Sequence, residues 1–320
     1  MIGIIIASVI LGILAFLFLV VYILYRITYY SPFRKQLCDF ELQRSKNYKS
    51  YPPLRKDLTD KFMARAYEDA FIESFDKLRL HARVYTVRGA NNRVAILCHG
   101  YRGTAYRDFA AASKVLIELK YNVILIDQRA HGLSDGHKIT FGIRESQDLL
   151  SWIKYAKDKF GQELELVLFG VSMGGHTVLN IADKLDENVR IIADSPYTSP
   201  RTILRNSIKQ IHLPRFIVYP LVNLAGIIYT HENMNRNNLV ESLKDSKNEI
   251  LIIHGTEDKV VPYEDSMLLS AKYNRRVRYE LFKGGHHCTS YLVDYERYVQ
   301  VIKDFLTQRV NYYQGKLFDE

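Results

Sequence analysis

Apolar and polar positions fall into two regimes along the chain. Residues 2–25 carry no charge and are almost wholly Ile, Leu, Val, Phe and Ala. From about Ala66 onward, short strand-like runs alternate with longer helix-like ones. Leu78, Leu80, Ala82 and Val84 alternate with polar neighbours, the pattern of a half-buried strand. Residues 94–98, 123–126, 164–169, 189–193, 250–253 and 277–282 are runs rich in Val, Ile and Leu. Most are continuous, as in strands covered on both faces. Helical patterns lie between them at 109–119, 143–159, 176–185, 263–273 and 291–310. Strands and helices taking turns predict an α/β domain over 66–310, a mostly parallel central sheet flanked by helices. The interruption at about 195–237 mixes helical, apolar and polar pieces without a strand, and is where a small helical lid is inserted.

As a helix, the 24 residues of the first run rise about 1.5 Å each, enough to cross a hydrocarbon core of roughly 30 Å. A cleaved signal peptide needs a basic leading region, a shorter apolar stretch and a small-residue cleavage site. Only Met1 precedes this run, and the residues after it, Arg26-Ile27-Thr28-Tyr29-Tyr30, make a poor cleavage site. The reading is a retained transmembrane anchor over 2–25. Arg26, Arg34, Lys35, Arg44, Lys46 and Lys49 all follow it, so the positive-inside rule puts the C-terminal bulk in the cytoplasm. These cations set topology and are also placed to meet anionic headgroups. Residues 26–65 then read as a basic juxtamembrane linker, and 311–320 as a C-terminal tail.

Charge changes the picture only through its location. Of the net +9, the stretch from Arg26 to Tyr67 supplies ten Lys/Arg against four Asp/Glu. The rest is close to neutral, so no folded face is left to grip phosphates, and no nucleic-acid partner is expected. Three cysteines, Cys38, Cys98 and Cys288, are too few and scattered for a disulfide framework.

The candidate chemistry starts at Gly170-Val171-Ser172-Met173-Gly174, directly after a strand and directly before a helix. That context is what a G-x-S-x-G nucleophile elbow requires: a sharp turn, close strand and helix backbones, and a serine at the carboxyl edge of the sheet. A serine hydroxyl needs a base to take its proton, and in elbows of this kind an acid and then a histidine follow along the chain. The strand at 250–253 runs into His254-Gly255-Thr256-Glu257-Asp258, making Asp258 the candidate acid, with Glu257 its weaker neighbour. Asp194, also at a strand end, reads as a group bonding to the turn at Ser195-Pro196. The last strand leads to Lys283-Gly284-Gly285-His286-His287-Cys288, where two histidines compete as base. Nothing near them has zinc-ligand spacing, and no metal is expected. Backbone N–H donors for an oxyanion are expected at Met173 and in the loop His99-Gly100-Tyr101-Arg102-Gly103, where Tyr101 is the candidate. His99 reads as a brace for that loop.

With these residues in place, the span from about Ala66 to Val310 resembles the α/β-hydrolase superfamily. Within it, the chain is similar to bacterial membrane-anchored hydrolases of the Bem46-like, serine aminopeptidase (S33)-like group. The matching pieces are the loop at 99–103, Asp127-Gln128-Arg129-Ala130-His131-Gly132-Leu133-Ser134, the elbow, Asp194-Ser195-Pro196-Tyr197-Thr198-Ser199, and 254–262. The resemblance implies the α/β-hydrolase fold. It also selects His287, because Ser290 and Tyr291 follow it at the family's spacing. It further implies that Asp127, Arg129 and His131 hold neighbouring loops together. Ala130 stands where the family commonly has glycine, near the turn and outside the candidate triad.

The expected function is a membrane-anchored serine hydrolase that acts on an ester or related acyl bond through Ser172, His287 and Asp258. No metal or organic cofactor is required, and the expected partners are a small-molecule or lipid-like acyl substrate and the bilayer. Residues 214–228 suit a lid, a bilayer-facing surface or a plain packing cap. Amide or peptide cleavage with the same residues is the alternative reaction. A catalytically silent, membrane-tethered binding or scaffold module is the alternative of another kind.

Overall fold

The computed structural model describes residues 1–31 and 52–307. The basic stretch between them and the tail at 311–320 lie outside the described residues. Eight strands, β1 (Glu68–Glu73), β2 (Arg79–Tyr85), β3 (Arg93–Cys98), β4 (Asn122–Asp127), β5 (Glu165–Val171), β6 (Arg190–Asp194), β7 (Ile250–Gly255) and β8 (Val277–Phe282), form one sheet in the order β1-β2-β4-β3-β5-β6-β7-β8. β2 pairs antiparallel with β1 and β4, and the pairs from β4 to β8 are parallel. This is the α/β-hydrolase fold. The continuous apolar strands are covered on both faces, as their sequences require. Ala95 and Leu97, Val123 and Leu125, Val167 and Phe169 point into one core, while Ile96, Ile124, Leu166 and Leu168 point into the other.

Helices fill both layers. One face carries α3 (Ala105–Glu118) and α11 (Tyr295–Thr307), through Phe109, Leu116, Ile302 and Phe305. The other carries α4 (Ile143–Phe160) and α9 (Tyr263–Lys272), with Trp152 fully buried. After β5, helix α5 (Met173–Leu179) starts directly at the elbow, three residues earlier than the sequence pattern indicates. The insertion after β6 forms a cap of α6 (Pro200–Gln210), α7 (Arg215–Ala225), a π-helical turn (Gly226–Thr230) and α8 (Leu239–Ser242). A short α10 (Ser290–Val293) follows β8.

Two elements go beyond the sequence reading. β1 pairs along β2 although it is acidic and carries an exposed Phe71; acid side chains on an edge strand discourage further pairing. Within the stretch expected to be a linker, α2 (Pro53–Met63) opens on proline at its first position and buries Leu58 and Phe62. Phe62 packs on Tyr85 and Tyr106, with ring centroids at 4.9 and 5.2 Å.

The apolar N-terminal run forms α1 (Ile2–Thr28), which is long and apolar enough to cross a membrane, and most of its side chains are exposed. Its C-terminal end is built into the domain. Tyr25 stacks on Tyr229 at 4.5 Å, and the Tyr29 hydroxyl donates to the Val222 carbonyl at 3.0 Å. Tyr101 donates to the Thr28 carbonyl, and Arg102 to those of Ile27 and Tyr30. The carbonyls of Ile27 and Thr28 are helix-end acceptors, near which a cation such as Arg102 is electrostatically favoured.

Replacing Phe62 with Ala should cost about 3–5 kcal/mol, the usual range for emptying a buried aromatic site. Chemical denaturation of the full chain in detergent measures this, and a cost near zero would show α2 to be a loose attachment.

Candidate active site

The site sits where the sheet order changes direction, between β3 and β5. Chains leaving those two strands run to opposite sides and leave a crevice at the carboxyl ends. Ser172 directly follows β5 there, at the N-cap of α5, with φ 54° and ψ −112°. That left-handed backbone costs a non-glycine residue of order 1–3 kcal/mol, and it is held by the neighbours. The Ser172 amide donates to the Asp194 carbonyl at 2.8 Å, and its own carbonyl accepts from the His176 amide. A Cβ at Gly170 would lie 2.0 Å from the Gly174 carbonyl oxygen, and one at Gly174 would lie 1.7 Å from that of Cys98. Both positions therefore exclude every side chain.

The structure brings the three remote candidates together. His287 Nε2 lies 2.8 Å from Ser172 Oγ, and His287 Nδ1 lies 2.7 Å from Asp258 Oδ2. An ionised carboxylate only accepts, so Nδ1 carries the proton and Nε2 is free to accept from the serine hydroxyl. Asp258 is buried, and burial alone would raise its pKa. Hydrogen bonds from His254 and His287, with the Val261 amide, outweigh burial and bring it to about 2. Its other oxygen accepts from the Val260 and Val261 amides at 2.9 and 2.8 Å.

The competing residues are turned elsewhere. The His286 ring bonds to the Glu257 carbonyl and is exposed. The Glu257 side chain is likewise exposed. Asp194 accepts from Ser195 and Tyr298 hydroxyls, and burial raises its pKa to about 6. His99 spans Gly100 and Gln128, donating from Nδ1 to the Gly100 carbonyl and accepting at Nε2 from the Gln128 amide. His131 Nε2 accepts from the Arg102 amide at 3.1 Å, and burial lowers its pKa to about 3. Arg129 pairs with Asp148 and Asp76, and Asp127 with His81 and Arg83. These groups knit loops together.

The loop at 99–103 passes beside the serine: a Cβ at Gly100 would lie 3.4 Å from that of Ser172. The Gly100 amide is used by Asp108, and the Arg102 amide by His131. Among the described residues, the Tyr101 and Met173 amides have no acceptor.

Two contributors went unseen in the sequence reading. His254 donates from Nε2 toward Asp258 Oδ2 at 3.2 Å and the Val261 carbonyl at 2.9 Å, while Nδ1 meets the Ser266 hydroxyl. Asp108 orders the oxyanion-loop candidate through Gly100. His254 stands four residues before the acid on the same strand end, which was the available signal. Asp108 gave none, since its partner is a backbone amide. A cavity of about 750 Å³, lined by Asn92, Tyr121, Glu165, Arg190 and Arg276, opens at the other edge of the sheet and touches none of this machinery.

Because Asp258 titrates near 2 when folded against an ordinary 3.8, its contribution to stability is complete above about pH 4 and is lost as pH falls through 2. The stability gap between the wild-type chain and Asp258→Asn should therefore shrink by about 2 kcal/mol from pH 5 to pH 2. Denaturant midpoints across that range measure it; a constant gap would contradict the assignment.

Residues 89–226 match the model of the serine aminopeptidase, S33, family. Protein YfhR of Escherichia coli strain K12 is 27% identical over 228 residues, covering 69% of this chain and 73% of its own. Lysophosphatidylserine lipase ABHD12 of Gallus gallus is 27% identical over 185 residues, 55% of this chain and 46% of its own. The solved structure of Pyrococcus furiosus esterase Pf2001 shares the fold with a TM-score of 0.63 at 23% identity, covering 80% of this chain and 94% of that one. The family match begins just ahead of β3 and ends in the cap, so it spans the elbow and the loop at 99–103 but not Asp258 or His287. The chain thus has the α/β-hydrolase fold, and over residues 89–226 it is similar to the serine aminopeptidase, S33, family.

Proposed function

We propose that the chain is a membrane-anchored serine hydrolase that cleaves a carboxylic ester or related acyl bond through an acyl-enzyme on Ser172. The observation that carries this reading is the continuous relay from Ser172 Oγ through the His287 ring to the Asp258 carboxylate. In the forward step, Ser172 Oγ attacks the acyl carbonyl carbon while its proton passes to His287 Nε2. Asp258 holds the ring in the required tautomer and stabilises its charged form. The tetrahedral oxyanion lies against the Tyr101 and Met173 amides, both without a competing acceptor among the described residues. His287 then gives the proton to the leaving oxygen as the carbon–oxygen bond breaks. Water, deprotonated by the same ring, hydrolyses the acyl-enzyme.

An aminopeptidase needs an anionic group to receive a free amino terminus. Asp108 and Asp194, the carboxylates beside the site, are already bonded to Gly100 and Arg107, and to Ser195 and Tyr298. That favours ester over aminoacyl substrates. ABHD12 is a lipase by name and Pf2001 an esterase by name, which agrees with acyl chemistry. The membrane reading rests on α1, whose exposed apolar surface needs a lipid environment. The cations that follow it favour a cytoplasmic catalytic domain.

Ser172→Ala should lower turnover of acyl esters by roughly 10⁴–10⁶-fold and abolish labelling by a fluorophosphonate, with the fold kept. His287→Ala should cost about as much, and the double variant little more. Probe labelling, together with a panel of acyl esters of graded chain length and aminoacyl amides, makes the measurement. Unlabelled wild-type chain would point to a silent scaffold, and faster amide turnover to the peptidase reading.

A further inference from the structure

The cap leaves an unusual surface uncovered. Between Phe216 and Ile228 the exposed residues are Phe216, Ile217, Pro220, Leu224, Ile227 and Ile228, and none is polar. At about 100° per helical residue these six fall within a stripe of about 120°, the width of a face that ordinarily lies against a core. Among the described residues, nothing covers it. Exposed apolar patches of this kind mark contact with another phase or partner.

What covers it follows from the neighbouring helix. Tyr229, the residue after Ile228, sits against α1, with its ring centroid 6.5 Å from Phe18, 5.8 Å from Tyr22 and 4.5 Å from Tyr25. Residues 18–25 are the last two turns of the uncharged run and occupy its final ~10 Å. An element packed against them stands at the depth they occupy. The tyrosines gathered there, Tyr22, Tyr25 and Tyr229, are the residue type enriched at membrane interfaces. Charge agrees with the placement. From Pro200 to His231 the cap contains Arg201, Arg205, Lys209 and Arg215 and no Asp or Glu. An apolar face bordered by cations suits an anionic lipid interface.

We propose that the apolar stripe of α7 and the π turn is immersed in the same bilayer leaflet as the C-terminal end of α1, giving the chain a second, monotopic membrane contact beside its anchor. The proposal rests on the reading of α1 as a membrane span. It requires no partner protein, and a second copy of the chain covering the stripe is the competing occupant.

The full chain carries one tryptophan, Trp152, which is fully buried in the domain. Tryptophan placed singly at Phe216 or Ile227 therefore reports the stripe against a quiet background. Leu14→Trp reports the anchor and Lys247→Trp the far edge of the sheet. Each chain is reconstituted in phosphatidylcholine vesicles containing phosphatidylglycerol, with and without brominated acyl chains. The expected result is that Phe216→Trp and Ile227→Trp lose emission to brominated lipid as Leu14→Trp does, while Lys247→Trp does not. Quenching of Leu14→Trp alone would overturn the proposal and leave the anchor standing. Absence of quenching at Leu14 would overturn both. Protection of the stripe together with chain-to-chain cross-linking through Phe216→Cys would assign it to a second copy, and so overturn the proposal.

Discussion

Two places where glycine backbones nearly touch hold the site in register. At Gly174 a methyl group would sit 1.7 Å from the Cys98 carbonyl oxygen, and at Gly255 it would sit 2.2 Å from that of Gly285. The first contact presses the start of α5 against the end of β3, so the loop at 99–103 must cross the elbow. The second presses the loop after β8 onto the end of β7, and the Glu257 amide donating to the Gly285 carbonyl at 2.8 Å ties them. One contact therefore sets where Ser172 stands relative to the Tyr101 amide, and the other sets where His287 stands relative to Asp258. No side chain larger than hydrogen survives at either point, so the spacing is fixed by backbone alone and not by adjustable packing.

Buried polar groups then keep the crossing loops from relaxing. His99 and Gln128 exchange bonds across the ends of β3 and β4, and His131 reaches the Arg102 amide. Arg129 is nearly inaccessible, and its guanidinium is satisfied by two carboxylates, Asp148 and Asp76. Arg144 continues the same chain of charges from Asp76 to Glu232 in the cap. Pairs of this kind add little net stability once desolvation is counted, but losing one partner leaves a buried charge uncompensated. Their effect is to make one loop arrangement much lower in energy than its near neighbours. That is also what the strained Ser172 backbone needs, since nothing local favours its positive φ.

The parallel strands, the elbow and the acid loop were legible because each is a local pattern: a Val/Ile/Leu run, then glycine or a strand-end carboxylate. Choosing between His286 and His287 was different. Both leave the same Gly-Gly loop, and residue types alone left the choice open until the resemblance supplied the spacing to Ser290 and Tyr291. In the fold, His286 bonds to the exposed Glu257 carbonyl, whereas His287 turns inward between Asp258 and Ser172. β1 escaped the reading because Glu68, Asp69 and Glu73 dilute its alternation. The helix at Pro53–Met63 escaped because its burial comes from α3 and β2, far along the chain. The docking of α1 was equally invisible, since Tyr25 and Tyr29 look like interfacial aromatics until Tyr229 and Val222 are found against them.

That docking ties the end of α1 to the loop beside the candidate site. The last turn of α1 presents the carbonyls of Ile27 and Thr28, and Tyr30 follows just beyond it; Arg102 and Tyr101 bond to them from the loop that also carries the Tyr101 amide. The distance along the helix from Tyr25, the end of the uncharged run, to Thr28 is about 4.5 Å. On the proposed reading of α1 as a membrane span, the edge of the crevice would be fixed a few ångströms outside the hydrocarbon core, within the interfacial layer that accounts for the remaining ~5–8 Å of each leaflet. Ester carbonyls of membrane lipids occupy that layer. A flexible leash would average over heights and orientations, whereas a docked helix end holds one. On the proposed reading of α1 as a membrane span, the reach of Ser172 from the membrane would be set by four hydrogen bonds and a stacked tyrosine pair.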